Sequence, residues 1–160
     1  MEQYKKLFRS FTYAFAGIFR TIKNERNLRI HLSCLVYMFG FLCLGDWFKI
    51  SRTEFAILVI ASGLVISSEI VNTAIENAVN LASDKYTEFG KIAKDAAAGA
   101  VLVNVIFAVI TGIIIMFQPS AFKAMFEYFT SNIHMLLVLA VSIIPATIFI
   151  FWGNPFRKGD

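Results

Sequence analysis

The sequence predicts an all-helical integral membrane protein. Of its 160 residues 58% are hydrophobic, and the mean hydropathy of +0.66 is far above that of ordinary soluble domains. Four apolar stretches are each near or above the ~20 residues that cross a bilayer as a helix. They lie at about residues 30–48, 55–81, 93–117 and 133–152, and the segments between them contain helix breakers.

The segment before the first span, about residues 5–24, has apolar side chains at helical spacing. Cationic residues, among them Lys5, Lys6 and Arg20, project to the other side. This pattern predicts an amphipathic helix that lies in the membrane interface, and packing against the rest of the protein is an equal alternative. The apolar stripe consists of Phe8, Phe11, Phe15, Ile18, Phe19 and Ile22.

Lysine and arginine residues are distributed unevenly over the segments that flank the spans. Twelve of the fifteen lie before the first span, between the second and third spans, or after the fourth. The other three are Lys49, Arg52 and Lys123. The positive-inside rule therefore predicts a multi-pass protein of the cell membrane with both termini in the cytoplasm. We expect the N-terminal segment to be retained, because it is too long and too interrupted by charges for a secretory signal.

Composition argues against several classes of function. Cys34 and Cys43 lie inside an apolar stretch, where they indicate neither a disulfide framework nor a metal site. His31 and His134 lie at span ends, and we interpret both as interfacial polar residues. The pI is near 9.2, but the cations flank hydrophobic spans, so anionic lipid is a simpler partner than nucleic acid. The sequence has no Walker loop and no protein-kinase signature.

The second span carries a polar stripe. Its five members fall within an arc of roughly 100° on a helix that turns about 100° per residue. Two of them are acids, and a charge at the bilayer centre costs at least a few kcal/mol, so the stripe must face other protein or a wet cavity. The stripe consists of Glu69, Asn72, Thr73, Glu76 and Asn80.

Depth in the membrane separates the two acids of this stripe. Glu69 lies ~22 Å from the outer end of the span, near headgroup depth, and Glu76 lies ~10 Å further toward the cytoplasm. This layout suits chemistry between a lipid hydroxyl and a soluble, metal-bound reactant. Glu25, Lys94 and Asp95 lie at the same depth as Glu76. Magnesium prefers a few carboxylates plus substrate phosphates, and a lysine supplies a point charge for phosphate.

Two other interpretations of the buried acids remain open at this point. The polar groups could serve only as hydrogen bonds between helices, or they could belong to a non-enzymatic transporter or proton-relay protein. A bundle of three or four helices has too little interior to enclose both a nucleotide and a lipid. We therefore expect several protomers to assemble.

Three segments together form a specific signature. They are EIVNTAIE at residues 69–76, AKDAAAGAVLV at residues 93–103, and the upstream residues Asn24, Glu25 and Arg29. This combination resembles the prokaryotic diacylglycerol kinase and undecaprenol kinase family of trimeric membrane enzymes, over about residues 6–117. The pieces ERNLRIH and KIAKD are similar to the Gram-positive branch of that family, which uses undecaprenol.

The resemblance implies a kinase that moves the γ-phosphate of ATP to undecaprenol, with diacylglycerol as the alternative lipid. Glu69 would be the general base for the lipid hydroxyl, helped by Asn72, and Glu25 and Glu76 would hold Mg²⁺ on ATP. The active site would lie between neighbouring protomers of a homotrimer. The implied nucleotide-binding residues, apart from the metal ligands, are Tyr13, Lys85, Tyr86, Thr87, Lys94 and Asp95.

Three positions depart from the family pattern. Asn80 stands where the family commonly has Asp, Lys6 stands where it commonly has Arg, and Ala98 stands where the diacylglycerol-using branch has Ser. The last departure favours undecaprenol. Together with the resemblance, the spans predict a lipid kinase domain at residues 1–118 and an extension at residues 119–160 that carries the fourth span and has no predicted role.

Overall fold

Six α-helices make up most of the protein in a computed structural model that describes residues 2–82 and 86–152. This described part of the chain contains no β-strand, so the all-helical fold class is confirmed. In chain order the helices are α1 (Glu2–Asn24), α2 (Arg26–Leu44), α3 (Arg52–Ala82), α4 (Glu88–Met116), α5 (Pro119–Ser131) and α6 (Ile133–Phe151).

The helices follow the predicted segments with shifted ends and one addition. α1 covers the predicted surface helix, and α3, α4 and α6 cover the second, third and fourth predicted spans. α2 begins at Arg26 rather than residue 30 and ends at Leu44 rather than residue 48. The sequence analysis does not predict α5, because Pro119 is typical of a break between spans. Proline also fits the first turn of a helix, where its missing N–H costs nothing, and α5 begins there.

Three helices in the described chain, α3, α4 and α6, are long and apolar enough to cross a membrane. They correspond to three of the four predicted spans, and none of the α6 side chains is buried within the protein. α2 is not in this group, and its first two turns carry Arg26, Arg29 and His31. The first predicted span and the orientation of the chain stay predictions.

Packing is most extensive between α3 and α4. α2 packs against both α3 and α6, and α1 packs against α2 and α3. The buried residues of α3 recur every three or four positions, as expected for one face of a helix. This face therefore carries Glu69 into the interior of the bundle. Its members are Leu58, Ser62, Val65, Glu69 and Thr73.

The corner between α1 and α2 is a single residue, Glu25. Its backbone is extended (φ −103°, ψ 114°), and its N–H donates to the main-chain oxygen of Thr21 at 2.8 Å. One extended residue between two helices turns the chain sharply. Glu25 is thereby fixed at the first turn of α2, next to the helices that carry the other predicted site residues.

Candidate active site

Glu69 projects from the buried face of α3 toward α2. Its Oε1 lies 3.4 Å from Nε2 of His31, and 5% of the Glu69 side chain is exposed, against 23% of His31. The hydroxyl of Thr73 donates instead to the main-chain oxygen of Glu69, at 3.0 Å. The structure thus pairs the predicted base with a histidine that the sequence analysis assigns to the membrane interface. The sequence signal for this contact was weak, because one histidine at a helix start does not reveal which face it occupies.

Asn72 and Glu76 lie one turn apart on α3 and are hydrogen-bonded. Nδ2 of Asn72 donates to Oε1 of Glu76 at 2.9 Å, which fixes the orientation of the amide. The other amide atom, Oδ1, is buried and has no hydrogen-bond partner among the described residues. A buried acceptor of this kind costs free energy, and it is available to a donor such as a substrate hydroxyl.

Three carboxylates converge on this part of the bundle. Glu25 and Glu76 both lie close enough to Glu69 to interact with it electrostatically. No group of three or more His, Cys, Asp and Glu side chains within residues 2–82 and 86–152 is arranged to hold a metal ion. Mg²⁺ commonly binds through one or two carboxylates together with substrate phosphates.

Lys94 joins the start of α4 to the end of α3. Its Nζ donates to Oδ1 of Asn80 at 2.6 Å. Asn80 is one of the departures from the family pattern, which commonly has Asp at this position. Its amide oxygen accepts the hydrogen bond from the Lys94 ammonium. Lys94 is half-buried and the neighbouring Asp95 is exposed. The amide thus provides a short polar link between the two helices.

The family model of prokaryotic diacylglycerol kinase matches residues 12–116, from within α1 to the last residue of α4. The chain belongs to the prokaryotic diacylglycerol kinase family. The resemblance found in the sequence is thereby confirmed. The match includes Glu25, Glu69, Glu76 and Lys94, and it ends before α5.

Individual relatives agree with this assignment. The chain is 39% identical over 116 residues to undecaprenol kinase of Bacillus subtilis strain 168, which covers 71% of this chain and 90% of the relative. It is 40% identical over 111 residues to diacylglycerol kinase of Synechocystis, with 69% and 62% covered. It is 27% identical over 115 residues to diacylglycerol kinase of Escherichia coli K12, with 72% and 92% covered. The prediction of an ATP-dependent lipid kinase in a membrane is confirmed, and the transporter alternative has no support.

The remaining predicted nucleotide-binding residues of the kinase lie at its surface or outside the described chain. Tyr13 is 73% exposed and Tyr86 is 80% exposed. Thr87 is the N-cap of α4, where its hydroxyl accepts a hydrogen bond from the N–H of Gly90 at 3.1 Å. A Cβ at Gly90 would lie 2.8 Å from the Thr87 Oγ1, so this cap favours glycine. Lys85 lies outside the described residues, and the nucleotide contacts of this group stay predictions.

Arg29 belongs to the family signature, and the sequence analysis gives it no role. Its side chain is buried, with 4% of the residue exposed. Nε donates to the main-chain oxygen of Ile150 at 3.0 Å, and Nη1 donates to those of Ile22 and Lys23 at 2.8 Å each. These carbonyls lie in the last turns of α6 and α1, where the helix leaves them unpaired and its dipole favours a cation. Arg29 therefore ties the ends of both helices to α2.

Proposed function

We propose that the kinase transfers the γ-phosphate of MgATP to the hydroxyl of undecaprenol, which gives undecaprenyl phosphate. The position of Glu69 is the observation that carries this proposal. Its carboxylate is buried on α3, a helix long and apolar enough to cross a membrane. An acid at such a place is costly and usually functional. Diacylglycerol is the second candidate substrate, since the relatives from Synechocystis and Escherichia coli carry that name.

Glu69 acts as the general base. The O–H bond of the lipid breaks and its proton passes to the carboxylate, while the oxygen bonds to the γ-phosphorus and the bond to ADP breaks. Asn72 helps to hold the hydroxyl through Oδ1, the buried acceptor that has no partner in the described chain. The bond from its Nδ2 to Glu76 keeps that acceptor turned away from Glu76.

Glu25 and Glu76 hold Mg²⁺ on the bound ATP. Two observations support the fit of this ion. Both carboxylates interact electrostatically with Glu69, so negative charge accumulates where a cation is expected to bind. Asn72 uses one oxygen of Glu76, and the carboxylate has a second oxygen for a metal. When bound, the ion neutralises phosphate charge during transfer.

Lys94 supplies a positive charge to the ATP phosphates, near the position where Asn80 anchors its ammonium. Asp95 and the surface residues Tyr13, Tyr86 and Thr87 complete the nucleotide site together with Lys85. These residues lie on α1 or around the start of α4, and both segments are predicted to be on the cytoplasmic side of the membrane. ATP therefore enters from the cytoplasm.

The chain spans the plasma membrane with both termini in the cytoplasm, and α1 lies in the cytoplasmic interface. The cation distribution supports this orientation. On α1 the apolar residues Phe8, Phe15 and Phe19 are each more than half exposed, and they are suited to burial among lipid headgroups and acyl chains.

Each active site lies between two protomers of a homotrimer. In a single chain Glu76 is half-buried and Asn80 is exposed, although both belong to the polar stripe of a membrane helix. Beyond their bonds to Asn72 and Lys94, contact with lipid would leave the remaining polar atoms of these side chains without partners. A neighbouring protomer removes that cost and adds the surface needed to enclose ATP. The extension formed by α5 and α6 lies outside the catalytic domain, which ends near residue 118.

Undecaprenol is preferred for two reasons. The relative named undecaprenol kinase matches over 90% of its own length at 39% identity, whereas the similarly identical relative from Synechocystis matches over 62%. The sequence has Ala98 at the position where the diacylglycerol-using branch has Ser. The alanine has no hydroxyl with which to contact a glycerol headgroup. A site without this contact loses one source of preference for diacylglycerol.

The test is ADP release by purified protein in bilayers that contain undecaprenol or dioleoylglycerol, with kcat/KM measured for both. We expect release that depends on added lipid alcohol, with the higher kcat/KM for undecaprenol. No release with either lipid would contradict the kinase proposal. A clear advantage for dioleoylglycerol would retain the kinase and replace its preferred substrate.

A further inference from the structure

The proposed reaction leaves a proton on Glu69, and the enzyme must remove it before the next turnover. Glu69 is 4% exposed, so water has little direct access to its carboxylate. On the same buried face of α3, the hydroxyls of Thr73 and Ser62 both donate to main-chain oxygens of their own helix. A route for this proton through another helix starts where that helix contacts the carboxylate.

His31 of α2 provides that first step. Its Nε2 lies 3.4 Å from Oε1 of Glu69, and the histidine is the more exposed partner, with 23% of its side chain accessible against 5%. An imidazole can accept a proton on one nitrogen and release one from the other, and it does so near neutral pH. The pair thus places a buried acid next to a base that water can partly reach.

We infer that His31 is the positioning and proton-relay partner of Glu69. The carboxylate takes the proton from the lipid hydroxyl, Nε2 of His31 takes it from the carboxylate, and the ring releases a proton to water. Glu69 returns to its ionised form and no other reactant is consumed. This inference rests on the proposed role of Glu69 as the base.

The first test compares His31→Gln with His134→Gln by lipid-dependent ADP release, with undecaprenol and dioleoylglycerol as lipids. Glutamine can hydrogen-bond to Glu69 but cannot relay a proton. We expect His31→Gln to lower kcat about tenfold or more and to leave the KM values for MgATP and lipid unchanged. His134, the other histidine of the chain, is exposed at the start of α6, so its substitution should leave both parameters as in the wild type.

Two results would overturn the inference while leaving the kinase intact. One is an active wild type with an unchanged kcat in His31→Gln. The other is a variant in which KM alone rises, because that indicates substrate binding rather than proton transfer. A wild type without activity toward either lipid would refute the proposed function, and the role of His31 with it.

The second test is chemical rescue of His31→Ala. Added imidazole should restore a large part of kcat, because it can enter the space of the missing ring and carry the proton. Pyrazole has the same size and shape but is a much weaker base, so it should restore little. Equal rescue by both compounds would mean that the ring only fills space, and it would overturn the relay.

Discussion

Two buried, ionisable side chains, Glu69 and Arg29, are equally inaccessible in this kinase and differ in how their charges are satisfied. Each is 4% exposed. Arg29 donates to three main-chain carbonyls at 3.0 Å or less, whereas Glu69 faces one imidazole at 3.4 Å and two further acids. A buried ionisable group with several hydrogen-bond partners can stabilise a fold, whereas one with few partners costs stability. Their partners therefore distinguish Arg29, which is hydrogen-bonded to two helices, from Glu69, for which we propose a role in catalysis.

The location of the two residues extends this contrast. The partners of Arg29 belong to α1 and α6, so it connects residues within the family match to a helix that lies beyond it. The neighbours of Glu69 belong to α2, to α3 and to the corner before α2, all within the matched residues. Stability and activity should therefore respond to different substitutions.

The largest expected effect is that of Glu69→Gln on kcat. Because glutamine cannot accept the proton of the lipid hydroxyl, kcat should fall ~10²-fold or more, with the affinity for nucleotide retained. The variant also removes a buried, sparsely paired charge, so its thermal unfolding temperature should be unchanged or higher. ADP release and thermal unfolding in detergent measure the two quantities. A large loss of stability would show that Glu69 is a structural residue like Arg29.

The opposite behaviour is expected of Arg29→Lys. Lysine keeps the charge but not the planar fork that reaches carbonyls of two helices, so at least one hydrogen bond to a charged group is lost. The free energy of unfolding should fall by about 2 kcal/mol. Arg26→Lys, an exposed substitution one turn earlier on α2, is the matched control and should change little. Equal stabilities of the two variants in a denaturant titration would contradict the structural role of Arg29.

Glu76→Gln should produce a smaller, selective effect. The amide oxygen of glutamine can still accept from Asn72, so the local fold is retained, but the negative charge proposed to hold Mg²⁺ is lost. We expect the Kd for MgATP to rise about tenfold, equal to about 1.4 kcal/mol, with a higher Mg²⁺ requirement. Glu127→Gln, in an exposed pair with Lys123 on α5, is the control. If Glu69→Gln weakens nucleotide binding as much as Glu76→Gln does, the division of roles between the two acids is wrong.

Features that depend on one helix could be predicted from the sequence. The spacing from Glu69 to Thr73 places both on one face of α3, and the structure has both residues buried. The Asn72 to Glu76 hydrogen bond also follows from residues four apart. The exception is α5, where Pro119 indicates a helix start as well as a break, and the aromatic run after it fits either structure.

Features that depend on how helices meet could not be predicted. The contact of His31 with Glu69 requires the register of α2 against α3, which no repeat within either helix determines. Arg29 donates to main-chain carbonyls, which every residue has, so the sequence does not identify its partners. A functional role for Glu69 could be predicted from the sequence, because the cost of placing an acid inside a membrane helix is a property of the residue itself.

The smallest expected effect is that of Tyr37→Phe, which tests whether the attachment of α6 depends mainly on Arg29. The hydroxyl of Ser142 donates to the main-chain oxygen of Leu139 at 2.7 Å, so Tyr37 must be the donor in its 3.0 Å bond to Ser142. Removing that donor leaves the bond of Ser142 to Leu139 in place, and a single hydrogen bond between membrane helices contributes about 0.6 kcal/mol. We therefore expect the free energy of unfolding to fall by that amount, with kcat unchanged. A double-mutant cycle of Tyr37→Phe and Ser142→Ala isolates the energy of this pair. A loss equal to that of Arg29→Lys would mean that side-chain contacts hold α6 as firmly as the buried guanidinium does.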